Sequence, residues 1–133
     1  MQVVRTHFIQ SLEHTKSLFG QDIHIKKKME EHIIYSAYHN ISIEMKILQE
    51  TISDTKFPQL VEIAKEYHEE IYQIKLEAFK KAVMKGELKK HSTEDYLDLF
   101  YIFITGVMET VKVFKYDNAR LKYLVHSYVD SIE

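Results

Sequence analysis

The chain has 133 residues, a formal net charge of -2 at pH 7, 45% hydrophobic residues and no cysteine. This hydrophobic content excludes a disordered polypeptide, and the small net charge gives no general attraction to nucleic acid or anionic lipid. Without cysteine there is no disulfide, thiolate metal ligand or cysteine nucleophile. Three glycines and one proline are too few turn residues for an all-β fold, so we predict a single all-α domain over residues 1–133.

Two helices are predicted in the first forty residues. Apolar residues at helical spacing predict the first over about residues 3–19, ended by Gly20. The second is predicted from about Asp22 to His39. Four positions of this second helix, where a plain helical bundle would have Leu or Ile, carry aromatic rings with polar atoms: His32, Tyr35, Tyr38 and His39. Aromatic walls with a few polar tips suit a cavity for a small organic ligand, although such side chains can equally line the rim of a packed core.

The middle of the chain predicts a short third helix and a long fourth one. Apolar residues over about residues 43–53 indicate the short helix, and residues 54–58 form the clearest loop. From Pro58 to Lys85 the helical pattern is unbroken, with Pro58 in a first turn and Gly86 just beyond the end. Two adjacent apolar rows run along this helix, which therefore contacts two neighbours.

The most apolar stretch, residues 96–108, lies within the segment 91–115, which we predict as the fifth helix. Ser92 with Asp95 three residues later is a capping signal. Asp98 and Glu109 break the run, whereas a membrane span needs ~20 consecutive apolar residues. A helix this apolar must be sandwiched, either inside its own bundle or between that bundle and a second subunit.

The last helix is predicted from about Asn118 to Ile132, with Asp117 or Asn118 as its cap. Because the connection before it is short, we expect it to form an antiparallel αα-hairpin with the fifth helix. The predicted fold is therefore an antiparallel bundle of about six helices.

The eight histidines raise the possibility of a metal site. No Glu precedes a His by three residues and no two His are four apart, so the pattern of a four-helix di-iron site is absent from the sequence. We interpret His91 with Glu94 and Asp95 as a helix start, and His126 with Asp130 as a surface pair. We expect no metal or other cofactor.

Catalytic and DNA-binding patterns are also weak. The acidic and histidine side chains around His68 fan around one helix and do not converge, and the sequence has no phosphate-binding loop or nucleophile elbow. Ala82 and Gly86 have the spacing of a helix-turn-helix, but the helix that follows is too apolar to enter a DNA groove. We expect a protein that is not an enzyme.

The long helix closes in AVMKGELKK, and a capped apolar helix containing Gly106 follows it. With this order of elements, the chain from about Ile41 to Glu133 resembles the C-terminal ligand-binding and dimerisation domain of TetR-type transcriptional repressors. The resemblance implies that the last two helices pair with the same helices of a second copy in a four-helix bundle. It also implies an effector pocket among the preceding helices.

The resemblance assigns two groups of residues. The implied lining of the effector pocket is Tyr35, His39, Tyr67, Ile71, Ile74, Phe103 and Val107. The implied dimer contacts are Leu97, Tyr101, Ile104, Met108, Leu121, Leu124, Val125 and Tyr128. The tyrosines and histidines favour an effector that is aromatic or weakly polar.

The family's N-terminal DNA-binding domain has no counterpart before Asp22. Either this is one domain of a longer regulator, or it is a chain that dimerises without contacting DNA. We therefore expect a cytoplasmic effector-binding and homodimerisation domain of a transcriptional regulator, a repressor released by a small organic ligand, that reaches DNA only through a separate domain and does not enter the membrane. A metal- or substrate-handling helical-bundle enzyme and a structural interaction module are the alternatives.

Overall fold

The computed structural model describes residues 2–39, 58–89 and 93–132, and within these ranges the chain is helical and contains no strand. The prediction of an all-α protein is confirmed. The helices are α1 (Gln2–Phe19), α2 (Ile25–His39), α3 (Pro58–Met84), α4 (Thr93–Phe114) and α5 (Asn118–Asp130). The short helix predicted over residues 43–53, the Ser92 cap and His91 lie outside the described residues.

The break between α1 and α2 follows from local backbone chemistry. The amide of Gly20 donates to the carbonyl of Lys16 at 3.0 Å, and a Cβ at position 20 would lie 2.7 Å from that oxygen. α2 begins at Ile25, three residues later than predicted, because His24 caps it: its Nδ1 accepts a hydrogen bond from the amide of Lys26 at 3.1 Å.

α3 ends in a Schellman motif, as Gly86 predicted. Gly86 has a φ of 78°, and the amide of Glu87 donates to the carbonyl of Ala82 at 2.9 Å. The Glu87 side chain also accepts a hydrogen bond from the amide of Ile25 at 2.9 Å. The turn that stops α3 therefore also satisfies a backbone donor of the first residue of α2, which has no partner inside its own helix.

α2 is the central helix of the packing. It contacts α1, α3, α4 and α5, while α1 packs mainly against α3, and α3 packs also against α4. The large apolar side chains with less than 2% of their surface exposed come from α2, α3, α4, α5 and the turn after α3: Phe79, Phe100, Ile25, Ile33, Leu88, Leu97, Val125 and Val129. Met29 of α2 and Leu18, Phe8 and Phe19 of α1 are 2–5% exposed. The core thus lies around α2, between α3 and α5.

The last two helices differ from the predicted hairpin. α5 makes its most extensive contacts with α2, because its buried face of Leu121, Val125 and Val129 packs into the core around that helix. His126 lies 2.7 Å from the Glu30 carboxylate of α2, rather than forming the predicted pair with Asp130. Asp117 is the N-cap of α5, as predicted, and accepts from the amide of Arg120 at 2.7 Å.

One side of α4 is not covered by the parts of the chain that the structure describes. Its exposed apolar side chains, with their exposed fractions, are Leu99 (55%), Ile102 (70%), Val113 (71%) and Phe114 (66%). Phe103, Val107 and Val111 beside them are only half-buried. Among the described helices, none is long and apolar enough to span a membrane.

Candidate ligand site in the helical core

His32 of α2 is a polar side chain in the middle of the apolar core, with 2% of its surface exposed. Its ring is stacked against His14 of α1, with centroids 5.7 Å apart. It also meets the edge of Phe19 at 5.5 Å and Phe100 of α4 at 5.8 Å. Within the described part of the chain, its Nδ1 atom is buried and has no hydrogen-bond partner.

Two more polar groups lie in the same core: Lys75 of α3, whose charge acts on His32, and the hydroxyl of Tyr101 on α4. Lys75 is 4% exposed, and its ammonium nitrogen lies 4.7 Å from the centroid of the Tyr101 ring, a cation–π contact. Tyr72 is stacked parallel to the Tyr101 ring, with centroids 6.4 Å apart. The Tyr101 hydroxyl is buried and accepts or donates no hydrogen bond among the described residues.

Electrostatics sets the protonation of this cluster. Burial, and then the nearby positive charges of Lys75 and His14, hold the pKa of His32 well below its ordinary value. Burial, with a smaller contribution from Tyr72, raises the pKa of Tyr101 far above that of a free phenol. At neutral pH the core therefore presents a neutral imidazole and a neutral phenol beside a lysine.

Thr15 and Ser36, two other buried polar side chains in this region, are satisfied within their own helices. Thr15 donates to the carbonyl of Ser11 at 2.8 Å, and Ser36 donates to that of His32 at 2.7 Å. Hydroxyls that bond within their own helix leave no demand for an outside partner. The unsatisfied atoms of His32 and Tyr101 are therefore a specific feature, and we name His32, Lys75 and Tyr101 the core polar cluster.

This cluster can bind a polar atom of a small molecule. The phenol donates a hydrogen bond, and the imidazole donates or accepts at Nδ1 according to its tautomer. Aromatic rings surround the three groups, and they provide flat walls for an aromatic ring. A buried polar atom without a partner costs roughly 1–3 kcal/mol, so a ligand that satisfied both atoms would recover that free energy.

The structure separates the predicted ligand-binding residues into different regions. Tyr35 stacks on His14 at 3.5 Å, and Tyr67 stacks on Phe8 of α1 at 5.7 Å. Ile71 is buried, and Ile74 lines an open groove beside the α1–α2 turn. The side chain of His39 lies outside the described residues.

Phe103 and Val107, the last two predicted ligand-binding residues, lie on the side of α4 that faces α5. They line a groove of about 470 Å³ between α4 and α5, whose walls are almost entirely apolar. Phe103 stacks on Tyr128 of α5 there, with centroids 3.5 Å apart. None of the cavities in the described parts of the chain is lined by all the predicted residues, and the ligand-binding set stays a prediction.

The predicted dimer contacts also divide into two groups. Those buried inside the single chain, where no second copy can contact them, are Leu97, Ile104, Met108, Leu121 and Val125. Tyr101, Leu124 and Tyr128 are only partly buried, and Tyr101 belongs to the core polar cluster. These five residues pack in the core around α2. The sequence had assigned their contacts to a second subunit.

Sequence reasoning missed Lys75 altogether. It lies four residues after Ile71 and four before Phe79, so it is on the apolar row of the long helix. A lysine in such a row is the signal that could have identified it. His32 was recognised as unusual and Tyr101 was assigned to the dimer contacts, but nothing in their spacing along the chain indicated that both lie in one core with Lys75.

Other chemistry is limited in the residues that the structure covers. There, no three His, Asp or Glu side chains are grouped so that they could hold a metal ion. Glu66, His68, Glu69 and Glu70 are exposed along α3, as the sequence predicted. The core polar cluster and the α4–α5 groove are therefore the two features on which a function can be built.

Comparison of the chain with protein-family models, with curated proteins and with solved structures found no match.

Proposed function

We propose that this chain is an effector-binding and homodimerisation domain of the kind found in TetR-type transcriptional regulators. The observation that carries the proposal is the pair of unsatisfied polar atoms on His32 and Tyr101, both buried in the apolar core. A chain selected only to fold gains nothing from these atoms, because apolar side chains of similar shape would avoid the free-energy cost of burying them unpaired. A bound effector forms hydrogen bonds with both atoms and removes this cost.

The effector of this proposal is a small planar molecule with at least one oxygen or nitrogen that accepts a hydrogen bond. The Tyr101 hydroxyl is its donor, and its pKa, raised by burial, keeps the proton in place. The rings of Phe100 and Tyr72 pack against its flat body. A carboxylate on the effector would also be favoured by the charge of Lys75.

The dimer of this proposal uses the uncovered side of α4. Leu99, Ile102 and Val113 are exposed apolar side chains on one side of this helix, and exposed apolar patches are typical of protein interfaces. The same helix carries Tyr101 on its inner side, so an effector that moves α4 changes the dimer surface as well. Control of a regulator by its effector requires this type of link between two sites.

Effector binding is tested with the Tyr101→Phe variant, which removes one hydroxyl and keeps the ring. A panel of aromatic carboxylic acids, phenols and aliphatic acids is screened by thermal shift, and hits are titrated by calorimetry. We expect aromatic hits on the wild type and a loss of about 3- to 10-fold in affinity in Tyr101→Phe, the value of one hydrogen bond. Without ligand, the variant gains about 1 kcal/mol of stability because the unpaired hydroxyl is gone.

The control is Tyr123→Phe, which removes the same hydroxyl from an exposed tyrosine of α5. It should leave both affinity and stability unchanged. Equal affinities of Tyr101→Phe and Tyr123→Phe for every hit would contradict a site at the core polar cluster. So would a loss of stability in Tyr101→Phe without ligand.

A further inference from the structure

His32 is a buried titratable side chain whose surroundings keep it neutral. Its ring is almost fully buried, and its Nδ1 atom has no hydrogen-bond partner among the described residues. Burial, and then the positive charges of Lys75 on α3 and His14 on α1, hold its pKa well below the ordinary value. An anion placed in the same space reverses the second of these effects and favours the protonated ring.

The helices α4 and α5 bring no opposing negative charge to this histidine in the described chain. α4 faces it with the ring of Phe100, and the Tyr101 hydroxyl in the same core is neutral because burial raises its pKa. On α5, His126 contacts α2, but it is exposed and lies 2.7 Å from Glu30. Among the described residues, no carboxylate is therefore one of the charges that act on His32.

A carboxylate complements this set of groups. Lys75 supplies a positive charge inside the core, where it is 4% exposed. A protonated His32 supplies a hydrogen-bond donor at Nδ1, and the phenol of Tyr101 is a further donor. Because hydrogen bonds from charged donors to a carboxylate are stronger than those between neutral groups, such an anion favours protonation of the imidazole.

The aromatic rings of this core select the body that carries the carboxylate. Phe19 and Phe100 contact the imidazole of His32, and Tyr72 is stacked on the Tyr101 ring. Flat apolar walls favour a planar apolar ligand. A second charged group on the ligand would lie against these walls and lose its hydration without compensation. The surroundings therefore favour an aromatic ring with a single carboxylate.

We propose that the effector of the core polar cluster is an aromatic monocarboxylate, and that His32 takes up a proton when it binds and donates that proton in a hydrogen bond to the carboxylate. The proton comes from solvent, the imidazole becomes an imidazolium, and the covalent bonds of the ligand stay unchanged. This inference rests on the proposed effector site, and it adds the class of ligand and the dependence of binding on pH.

The direction of the pH dependence follows from the linkage between protons and ligand. The complex binds more protons than the free protein and free ligand together, so affinity increases as pH falls. A carboxylic acid with a pKa of about 4 stays ionised between about pH 8 and pH 6, so the ligand itself does not titrate there. Affinity should rise by about 3- to 30-fold over this range, within the limit of about tenfold per pH unit for one proton.

Calorimetry with benzoate, naphthoate and their amides tests this mode of binding. Each compound is titrated into the wild-type protein over the same pH range, in buffers with different enthalpies of ionisation, and the difference gives the number of protons taken up. We expect the carboxylates to bind with uptake of up to one proton. The matching amides have the same rings and no charge, so their affinities should not change with pH.

The variant His32→Asn assigns the proton to this residue. Asparagine keeps a polar atom near the position of Nδ1 but does not titrate, so proton uptake should be lost and the affinity for the carboxylates should no longer depend on pH. The matched control is His24→Asn at an exposed histidine, which should keep the wild-type uptake. An NMR titration of the histidine rings of the wild type, with and without benzoate, reports protonation of His32 even where the variant does not fold.

The outcomes separate this inference from the function on which it rests. Failure of both carboxylates to bind overturns the inference, whether or not the amides bind. Carboxylate binding without proton uptake, or with the same uptake in His32→Asn as in His24→Asn, also overturns it and leaves the effector site in place. The effector site itself is overturned only when the wider panel of aromatic acids and phenols gives no hit either.

Discussion

At the scale of single residues, the protein differs from a plain helical bundle in its buried polar side chains. His32 and Lys75 are almost fully buried, and the hydroxyl of Tyr101 is buried with them. The sequence indicated His32 as an unusual residue for a helix interior. It could not show that the three side chains lie in one core, because they lie on three helices far apart in the chain.

The buried histidine predicts an acid-sensitive fold. His32 keeps a pKa well below its ordinary value in the native state, whereas it titrates near 6.5 in the unfolded chain. As pH falls below about 6.5 the unfolded state therefore binds a proton that the native state does not, and stability decreases. The free energy of unfolding should fall by up to about 1.4 kcal/mol per pH unit from this group, until the native pKa is reached.

Urea denaturation of the wild type and of His32→Phe between pH 7.5 and about pH 5 measures this contribution. The variant should lose less stability on acidification than the wild type. Replacement of the exposed His24 by Asn is the matched control, and it should retain the wild-type slope. Parallel slopes for the wild type and His32→Phe would show that burial of this histidine does not set the acid response.

At the scale of elements, local chemistry determines where helices stop. Gly20 and Gly86 end α1 and α3 at the predicted places, and Asp117 caps α5. The predicted start of α2 was three residues early, since the His24 side chain accepts a hydrogen bond from the first turn. Helix ends depend on a few nearby residues, so a sequence predicts them to within a few positions.

Two glycines should respond with opposite sign to the same substitution. Gly86 has a φ of 78°, so Gly86→Ala should destabilise the chain by about 1–2 kcal/mol, the cost of a left-handed alanine. Gly106 is within a helix and a Cβ there meets open space, so Gly106→Ala should stabilise the monomer by up to about 1 kcal/mol.

Both free energies of unfolding are measured by urea titration of dilute samples, in which any dimer has dissociated. Loss of stability in both variants would mean that Gly106 has a packing role inside the single chain.

At the scale of the whole molecule, α4 is divided between the core and the surface. Its side chains Leu97, Phe100 and Ile104 pack inside the chain, while Ile102 and Val113 stay exposed. Sequence reasoning recognised that this helix is too apolar for one neighbour. It placed the inner side in a dimer, because the packing of α2 and α5 against α4 cannot be read from the spacing of residues.

A pair of aspartate substitutions separates the two sides. Ile102→Asp should change the free energy of unfolding by less than about 0.5 kcal/mol, because the site is exposed, and it should weaken the dimer about tenfold through lost apolar contact. Leu97→Asp buries an unpaired charge and should cost more than about 3 kcal/mol. Chemical denaturation and sedimentation velocity measure the two effects, and a dimer unaffected by Ile102→Asp would contradict an interface on the exposed side.

The sequence by itself determined the helical class, the helix ends and the presence of one helix with more apolar surface than its neighbours need. These properties depend on residues within a few positions of one another, where periodicity and capping act. Only the tertiary structure decided which side of α4 is buried, where α5 packs, and that Lys75, His32 and Tyr101 come together. Such contacts join residues on different helices. Their energies depend on distances between helices, which cannot be derived from the spacing of residues along the chain.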